Sequence, residues 1–279
     1  MFRLLKKIKK LISALFTVIA LLFIIVAVPM FPETLSSGLM ISGYTDSAPK
    51  LIAHRGLSSL YPENTLPAFY GAAKQGFDAF ELDIHTTKDG EWVVIHDDDV
   101  NYMTDSEGDV ENFTLEELRE MKLVSGNHIE DYPDIQMPTL RETLDVCQEW
   151  DIPPVIEIKK CDITLLPTLK ELLEEYEIAD KAVIISFTKE YLEEYRKLDS
   201  DIEMLYLANV PTKEDIDWCV ENNFGINYNH LCLYKCFGAI RYAKEKDITI
   251  AVWTVDNTFF ADIMVLFGAK YVTTNKILP

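Results

Sequence analysis

Residues 51–97 read LIAHRGLSSLYPENTLPAFYGAAKQGFDAFELDIHTTKDGEWVVIHD, and they place titratable side chains at the ends of short apolar runs. His54 and His96 each end one such run, and Arg55 follows His54 directly. A Glu-x-Asp pair lies within a third apolar run. In α/β barrels the catalytic groups come from the carboxyl ends of strands. This stretch therefore predicts the active site of an α/β enzyme.

The remainder of the chain alternates β-rich runs with amphipathic stretches. This alternation predicts βαβ units around a largely parallel sheet. The length of residues 51–279 suits a single (β/α)8 barrel of the TIM type, which has typically about 250 residues. The predicted strands are Leu51–His54, Ala79–Ile84, Val93–His96, Val155–Ile158, Ala182–Ser186, Met204–Leu207, Gly225–Tyr228, Ile248–Thr254 and Tyr271–Thr274.

One of these nine strands exceeds the eight that a barrel needs. The segment between Ile84 and Val93 is too short for a crossover helix, because parallel neighbours need about 10–12 connecting residues. Asp89-Gly90 within that segment is a hairpin turn signal. We therefore expect residues 79–96 to form one hairpin-like unit, in which the second strand can run antiparallel to the first.

Two helix starts carry a capping box, at Thr114–Glu117 and Thr139–Glu142. In this motif the Thr oxygen and the Glu carboxylate accept hydrogen bonds from free amides of the first turn. Helices are therefore predicted to begin at both threonines.

The first fifty residues differ from the rest in composition. Residues 1–10 contain five basic residues and no acidic one, and residues 11–32 contain no charged residue. About 20 apolar residues cross a bilayer, and basic residues favour the cytoplasmic side. We expect a basic cytoplasmic segment (1–10), a transmembrane anchor in the cell membrane (11–32), a linker (33–50) and an extracytoplasmic domain (51–279). The alternative is a cleaved signal peptide, whose apolar region usually spans only about 7–15 residues.

The chain is strongly acidic, with 46 Asp and Glu against 26 Lys and Arg and a net charge of −20. Proteins that bind nucleic acid present a basic face. Nucleic acid is therefore excluded as a partner.

Three carboxylates lie on strands that are otherwise apolar. Glu81 and Asp83 are two residues apart, so both side chains point to one face of their strand, and Glu157 lies in a similar run. Like charges this close need a cation or a shared proton. The pattern predicts an all-oxygen site for Mg²⁺ or Ca²⁺. The alternative is that each acid is paired with a basic side chain, Lys159 included.

His54 and His96 are the candidate acid–base residues. Histidine titrates near neutral pH, so a pair can supply a general base and a general acid at a phosphoryl or acyl centre. The alternative is that each histidine is a hydrogen-bonded structural group.

Eight short motifs, in order, resemble those of the glycerophosphodiester phosphodiesterase family, and they cover the chain from Leu51 to its C-terminus. They imply a TIM-type barrel, one divalent cation and hydrolysis of glycerophosphodiesters to glycerol phosphate and an alcohol. The motifs are His54-Arg55-Gly56, Pro62-Glu63-Asn64-Thr65, Glu81-Leu82-Asp83, Asp89-Gly90, His96-Asp97, Glu157-Ile158-Lys159, Ser186-Phe187 and Val252-Trp253-Thr254-Val255.

The resemblance implies roles for individual residues. His54 and His96 would be the acid–base pair. The ligands of the divalent cation, Mg²⁺ or Ca²⁺, would be Glu81, Asp83 and Glu157.

Three further residues would contact the substrate, and a fourth would support one of them. Arg55 and Lys159 would hold phosphate oxygens, and Trp253 would line the glycerol side of the pocket. Glu63 would brace Arg55 or, alternatively, lie in the loop that enters the next helix.

Two segments depart from the family pattern. Asn275 stands where the family usually has an aspartate, and residues 98–104 lack the usual Arg-Thr-Thr. We expect this chain to differ from the family in two respects. One is the group that the missing aspartate would anchor, and the other is substrate recognition by residues 98–104.

Two other functions stay open. The first is a related phospholipase of the same barrel superfamily, which acts on lysophospholipids or phosphoinositide-type lipids and releases a cyclic phosphate. The second is a catalytically inactive surface binding module, against which the complete set of predicted catalytic residues argues.

Overall fold

The structure, a computed structural model, describes residues 49–278. The strands are β1 (Lys50–Ala53), β2 (Ala79–Thr86), β3 (Trp92–Val94), β4 (Pro154–Lys160), β5 (Val183–Ser186), β6 (Glu203–Ala208), β7 (Gly225–Asn229), β8 (Ile250–Trp253) and β9 (Ala269–Thr274). The α-helices are α1 (Leu66–Lys74), α2 (Leu115–Glu120), α3 (Leu140–Trp150), α4 (Leu166–Glu175), α5 (Lys189–Leu198), α6 (Lys213–Glu221), α7 (Leu233–Glu245) and α8 (Thr258–Leu266). Short 3₁₀ helices cover Val110–Asn112, Ile129–Asp131, Ile163–Leu165 and His230–Cys232.

Eight of the strands form a closed parallel barrel. The order around the sheet is β1, β9, β8, β7, β6, β5, β4 and β2, and a pairing of β1 with β2 closes the ring. Neighbouring strands in the ring are parallel throughout. The predicted TIM-type (β/α)8 barrel is therefore confirmed.

Strand β3 is the ninth strand and lies outside the ring. It pairs antiparallel with the end of β2, where Val94 lies opposite Ile84. Gly90 in the connecting turn has a φ of +86°, which glycine adopts without steric cost. The predicted hairpin is confirmed, and its second strand is antiparallel. The Ile95 amide then donates to the Asp83 carbonyl at 3.1 Å, which brings His96 back to the mouth of the barrel.

Residues of the barrel strands alternate between two apolar layers. Phe80, Leu82 and Ile84 belong to the large layer between the barrel and its helices. A smaller layer, which includes Val155 and Ile185, fills the inside of the barrel. Since side chains alternate along a strand, the acidic residues of β2 and β4 share this inner face.

The segment between β3 and α3, residues 95–139, has an apolar cluster of its own. Val100, Met103, Val110 and Leu123 are buried in it together with Val93 of β3. This excursion replaces the single loop that would otherwise join the hairpin to the next helix.

Both predicted capping boxes are present, at Thr114–Glu117 and Thr139–Glu142. A third, which the sequence interpretation did not include, begins α6 at Thr212, with Asp215 in place of the usual glutamate.

The predicted cytoplasmic segment (1–10) and transmembrane anchor (11–32) lie outside the described residues, as does the linker up to residue 48. Within residues 49–278, none of the helices combines the length and the apolar character needed to cross a bilayer. Strand β1 begins at Lys50, one residue before the predicted start of the domain.

Candidate active site

Three buried carboxylates meet inside the barrel on β2 and β4. Asp83 and Glu157 are register partners, and Glu81 precedes Asp83 on the same face. One oxygen of each side chain lies within 4.8 Å of the others, so the three can share one metal ion. All three residues are at most 8% exposed. The predicted convergence of these acids is confirmed.

The electrostatics of the cluster are those of a site with excess negative charge. Burial raises the pKa of Glu81 well above its ordinary value, and Asp83 and Glu157 raise it further. Burial and Asp83 also raise the pKa of Glu157, to about 7. Burial alone would raise the pKa of Asp83, but His96 and two basic side chains hold it below its ordinary value. An oxygen-binding divalent cation would neutralise this excess charge.

Arg55 approaches the cluster from the end of β1. Its amide donates to Glu81 Oε2 at 2.7 Å, and its Nη1 donates to Glu63 Oε1 at 2.7 Å. The Nε atom of Arg55 lies 3.5 Å from Asp83 Oδ2. Glu63 therefore contacts Arg55, as the bracing role requires.

The turn after β1 makes this approach possible. Arg55 has a φ of +56° and Gly56 a φ of +73°. A Cβ atom on Gly56 would lie 2.6 Å from the Ala68 carbonyl carbon, closer than real atoms approach. Glycine at position 56 is thus needed both for the backbone conformation and for the packing against α1.

Lys159 is the second basic side chain at the cluster. Its Nζ lies 3.1 Å from Glu157 Oε1 and 3.9 Å from Asp83 Oδ1. Burial alone would lower the pKa of Lys159, but Glu157 and Asp83 outweigh burial and raise it. Arg55 and Lys159 thus neutralise part of the negative charge of the three carboxylates, as the alternative of basic pairing predicted.

His54 is oriented by a chain of hydrogen bonds that ends at Asp256. The Asn275 side-chain nitrogen donates to Asp256 Oδ2 at 2.8 Å, and Asn275 Oδ1 lies 2.7 Å from His54 Nδ1. A carboxylate only accepts hydrogen bonds, so the Asn275 amide must turn its oxygen towards His54, and His54 Nδ1 carries the proton. The lone pair of His54 Nε2 then lies on the side of Glu81 Oε2, 4.0 Å away. Burial, and then Arg55, lower the pKa of His54.

His96 is held from both sides of its ring. Its Nδ1 lies 2.7 Å from Asp97 Oδ1, and its Nε2 lies 3.2 Å from Lys159 Nζ. Since the carboxylate can only accept, His96 Nδ1 is the donor to Asp97.

Asn64 belongs to the site, although the sequence interpretation did not assign it a role there. Its side-chain nitrogen donates to Asp83 Oδ2 at 2.8 Å, and its oxygen accepts from the Asp83 amide at 3.3 Å. Asn64 has a φ of +54°, a conformation that asparagine tolerates better than most residues. The available signal was its position in the Pro62–Thr65 motif. Asp97 and Asp256, which hold the two histidines, were missed as well.

Seven of the nine predicted site residues line one cavity of about 350 Å³ at the barrel mouth. The other two, Asp83 and Glu63, contact Arg55 from outside that lining. Trp253 meets Phe187 edge-to-face across the cavity rim, with ring centroids 5.8 Å apart. The seven are His54, Arg55, Glu81, His96, Glu157, Lys159 and Trp253.

Comparison with known proteins shows the family of this chain. Residues 54–278 match the model of the glycerophosphoryl diester phosphodiesterase family. A glycerophosphodiester phosphodiesterase of Caldanaerobacter subterraneus subsp. tengcongensis is 32% identical over 231 residues, which cover 81% of this chain and 93% of that protein. One from Bacillus altitudinis is 35% identical over 181 residues, which cover 59% of this chain and 73% of that protein.

Solved structures share the fold. An Oleispira antarctica phosphodiesterase, solved in complex with the product sn-glycerol-3-phosphate, has a TM-score of 0.75 at 24% identity and covers 81% of this chain and 93% of its own. A Silicibacter pomeroyi protein has a TM-score of 0.73 at 22% identity, with coverages of 83% and 91%. On the family match and the 32% identical relative, this chain belongs to the glycerophosphoryl diester phosphodiesterase family.

Proposed function

We propose that the protein hydrolyses glycerophosphodiesters to glycerol phosphate and an alcohol. The observation that carries this proposal is a cluster of three carboxylates, two of which line one cavity together with two basic side chains and two imidazoles. The names of the relatives support the same reaction. The complete set of reactive groups argues against a binding module without activity.

Glu81, Asp83 and Glu157 are proposed to hold one divalent cation, Mg²⁺ or Ca²⁺. Carboxylate oxygens are the ligands that both cations prefer. Such a cation, when bound, polarises a phosphoryl oxygen and neutralises the charge that develops on it. Arg55 and Lys159 line the same cavity, where their positive charges can hold the remaining phosphate oxygens.

We propose different tasks for the two histidines. His54 Nε2 has a lone pair and is proposed to take the proton from the nucleophile, which is water or the neighbouring hydroxyl of the substrate. His96, whose Nδ1 lies 2.7 Å from Asp97 Oδ1, is proposed to give a proton to the departing oxygen.

A product-resolved assay over a panel of glycerophosphodiesters, with and without chelator, tests this function. We expect release of glycerol phosphate that chelator abolishes and that Mg²⁺ or Ca²⁺ restores. His54→Ala and His96→Ala should each lower turnover about 10²- to 10⁴-fold, whereas His128→Ala, at an exposed histidine, is the matched control. A His54→Ala or His96→Ala variant with wild-type activity would refute the mechanism. Accumulation of a cyclic diester that is not hydrolysed further would indicate the phospholipase reaction instead.

A lysophospholipid is the second candidate substrate, and exposed apolar side chains that follow His230 favour it. Leu231, in the 3₁₀ helix His230–Cys232, and Tyr234, in the first turn of α7, are 67% and 62% exposed. They follow His230, whose Nδ1 lies 3.3 Å from the Trp253 carbonyl oxygen. Residues 222–244 contain no acidic residue, which is unusual in so acidic a chain. Exposed apolar side chains such as these fit an acyl chain or a lipid surface.

The double variant Leu231→Ser/Tyr234→Ser tests this second substrate. We expect lower turnover of micellar lysophospholipid and unchanged turnover of soluble glycerophosphodiesters. Leu198→Ser, at an exposed leucine on α5, is the matched control. Equal effects on both substrates would remove the argument for a lipid.

The N-terminal segment is proposed to anchor the enzyme in the cell membrane, with its N-terminus in the cytoplasm and residues 51–279 outside. The uncharged run of residues 11–32 and the basic residues before it support this topology. Membrane fractionation combined with external protease tests it. A mature protein that is soluble and lacks residues 1–30 would refute the anchor.

A further inference from the structure

The cavity contains polar atoms that no protein group satisfies. Among residues 49–278, five buried side-chain polar atoms have no hydrogen-bond partner, and three of them belong to residues that line this one cavity. They are Arg55 Nε, Asn227 Oδ1 and Trp253 Nε1. Arg55 Nε faces the Asp83 carboxylate at 3.5 Å. For Asn227 and Trp253, by contrast, the structure gives no polar group that explains their position.

Leaving such atoms without a partner is costly. An unsatisfied buried polar group loses its hydration and gains nothing in return, so most buried side-chain polar atoms in proteins are paired. Asn227 is only 3% exposed, and it lies in the inner apolar layer of the barrel, beside Leu207. A leucine would fill this position without that penalty, so the amide has no evident structural purpose.

The placement of Asn227 relates it to the reacting centre. Asn227 is on β7 and Trp253 is on β8, whereas the carboxylates are on β2 and β4. In the order of the ring, β7 is four strands away from β2 in either direction, so the two strands are on opposite sides of the barrel. Asn227 pairs in register with Ala251, two residues before Trp253 on the same inner face. A ligand whose phosphate lies at the carboxylates, and whose other end crosses the cavity, would reach this pair.

The chemistry of the two side chains matches hydroxyl groups. A side-chain amide can both accept and donate, and an indole N–H can only donate. A hydroxyl can donate to Asn227 Oδ1, and a second hydroxyl can accept from Trp253 Nε1. Ile185 and Leu207 line the same cavity and suit the carbon atoms between such hydroxyls.

We propose that Asn227, together with the indole N–H of Trp253, binds the hydroxyl groups of the glycerol moiety and so selects glycerol-containing diesters. This inference rests on the proposed function and adds a residue that determines specificity on the far wall of the barrel. It assigns Asn227 no part in bond breaking, which takes place at the other wall.

Asn227→Leu tests the inference, with the full chain in detergent and the activating cation. Competitive inhibition constants are measured for glycerol 3-phosphate, for ethylene glycol phosphate, which lacks one hydroxymethyl group, and for inorganic phosphate. We expect Asn227→Leu to raise the inhibition constant of glycerol 3-phosphate about tenfold. The inhibition constant of inorganic phosphate should stay within about twofold of the wild-type value. The affinity for ethylene glycol phosphate should fall less than the affinity for glycerol 3-phosphate.

Two further variants keep the test decisive. Trp253→Phe removes the N–H donor and keeps an aromatic ring, and it should also weaken glycerol 3-phosphate selectively. Tyr195→Phe removes another buried hydrogen-bonding group without a partner, but one far from the cavity on α5, and it should change no inhibition constant. Asn227→Leu should also raise the melting temperature by a few degrees, because an unpaired buried amide is lost.

The outcomes separate this inference from the proposed function. Unchanged inhibition by glycerol 3-phosphate in both Asn227→Leu and Trp253→Phe, with an active wild type, would overturn the inference alone. A loss of the same size for all three ligands together with a lower melting temperature would mark a structural residue and would overturn it too. A wild type that cleaves no glycerophosphodiester and binds glycerol 3-phosphate no better than phosphate would overturn both.

Discussion

Replacing Glu157, one of the three carboxylates proposed to hold the cation, by glutamine should stabilise the protein when no cation is present. The pKa of Glu157 is raised from 4.5 to about 7 by burial and by Asp83. Between these two values the folded protein binds a proton that the unfolded chain has released, so stability falls as the pH rises through this window. The charged form therefore costs about 3 kcal/mol above pH 7, at about 1.36 kcal/mol per pH unit. Glutamine carries no charge and avoids this cost.

The expected result depends on pH in a defined way. At about pH 8 with chelator, Glu157→Gln should raise the melting temperature by roughly 6–12 °C, given about 2–4 °C per kcal/mol for a domain of this size. At about pH 4, where the carboxyl is protonated in both states, the variant and the wild type should melt together. Adding Mg²⁺ or Ca²⁺ at about pH 8 should reverse the order, because the variant has lost a ligand.

Glu142→Gln is the matched control and should behave in the opposite sense. Burial alone would raise the pKa of Glu142, but its bonds to Arg119 and to the Thr139 cap lower it. Its stabilising contribution is present above the unfolded pKa and is lost as the pH falls, so the glutamine variant should be less stable at about pH 8. Calorimetry or urea unfolding at both pH values measures each difference. If Glu157→Gln destabilised the chelated protein equally at both pH values, the view of Glu157 as a charge in need of a cation would be refuted.

Three shorter predictions concern the groups around the cluster. Asn64→Ala should weaken cation binding about 10- to 100-fold, because side chains that hydrogen-bond to metal ligands orient those ligands. Titrating the cation while following thermal stability measures this affinity, and an unchanged affinity would mean that Asp83 needs no support from Asn64. Asn275→Ala should lower kcat about tenfold or more with little change in KM, because the ring of His54 is no longer oriented; an equal rise in KM would point to a substrate contact instead. Arg55→Lys should raise KM in steady-state kinetics, because an ammonium lacks the planar fork of a guanidinium; wild-type KM would show that a point charge suffices there.

The sequence was sufficient to predict the barrel, the antiparallel hairpin and the three carboxylates. Each of these follows from a local pattern: alternation of runs, a short segment with Asp89-Gly90, and acids on one face of an apolar strand. Once the strands close into a ring, Asp83 and Glu157 become register neighbours. Local patterning therefore specified a long-range contact, because the barrel brings inner faces together.

The residues that orient His54, and the unpaired Asn227, could not be predicted from local patterns in the same way. Asn275 contacts His54 across 221 positions of sequence, and Asp256 supports Asn275 from another loop. Neither residue lies in an apolar run that would mark it. Asn227 is a single polar residue within a strand, and only its lack of a hydrogen-bond partner in the folded chain distinguishes it.

The excursion of residues 95–139, with its separate apolar cluster, has a consequence for the evolution of this site. His96 and Asp97 are on the excursion, whereas the three carboxylates are on ring strands. Insertions, deletions or wholesale replacement of residues 98–138 can therefore alter the surroundings of His96, the proposed proton donor to the departing group, while the ring that carries the carboxylates keeps its register. The segment that departs from the family pattern, residues 98–104, lies here. Relatives that differ in the alcohol they release are thus expected to diverge most in this module, and a chimera that exchanges it should transfer the preference for the alcohol.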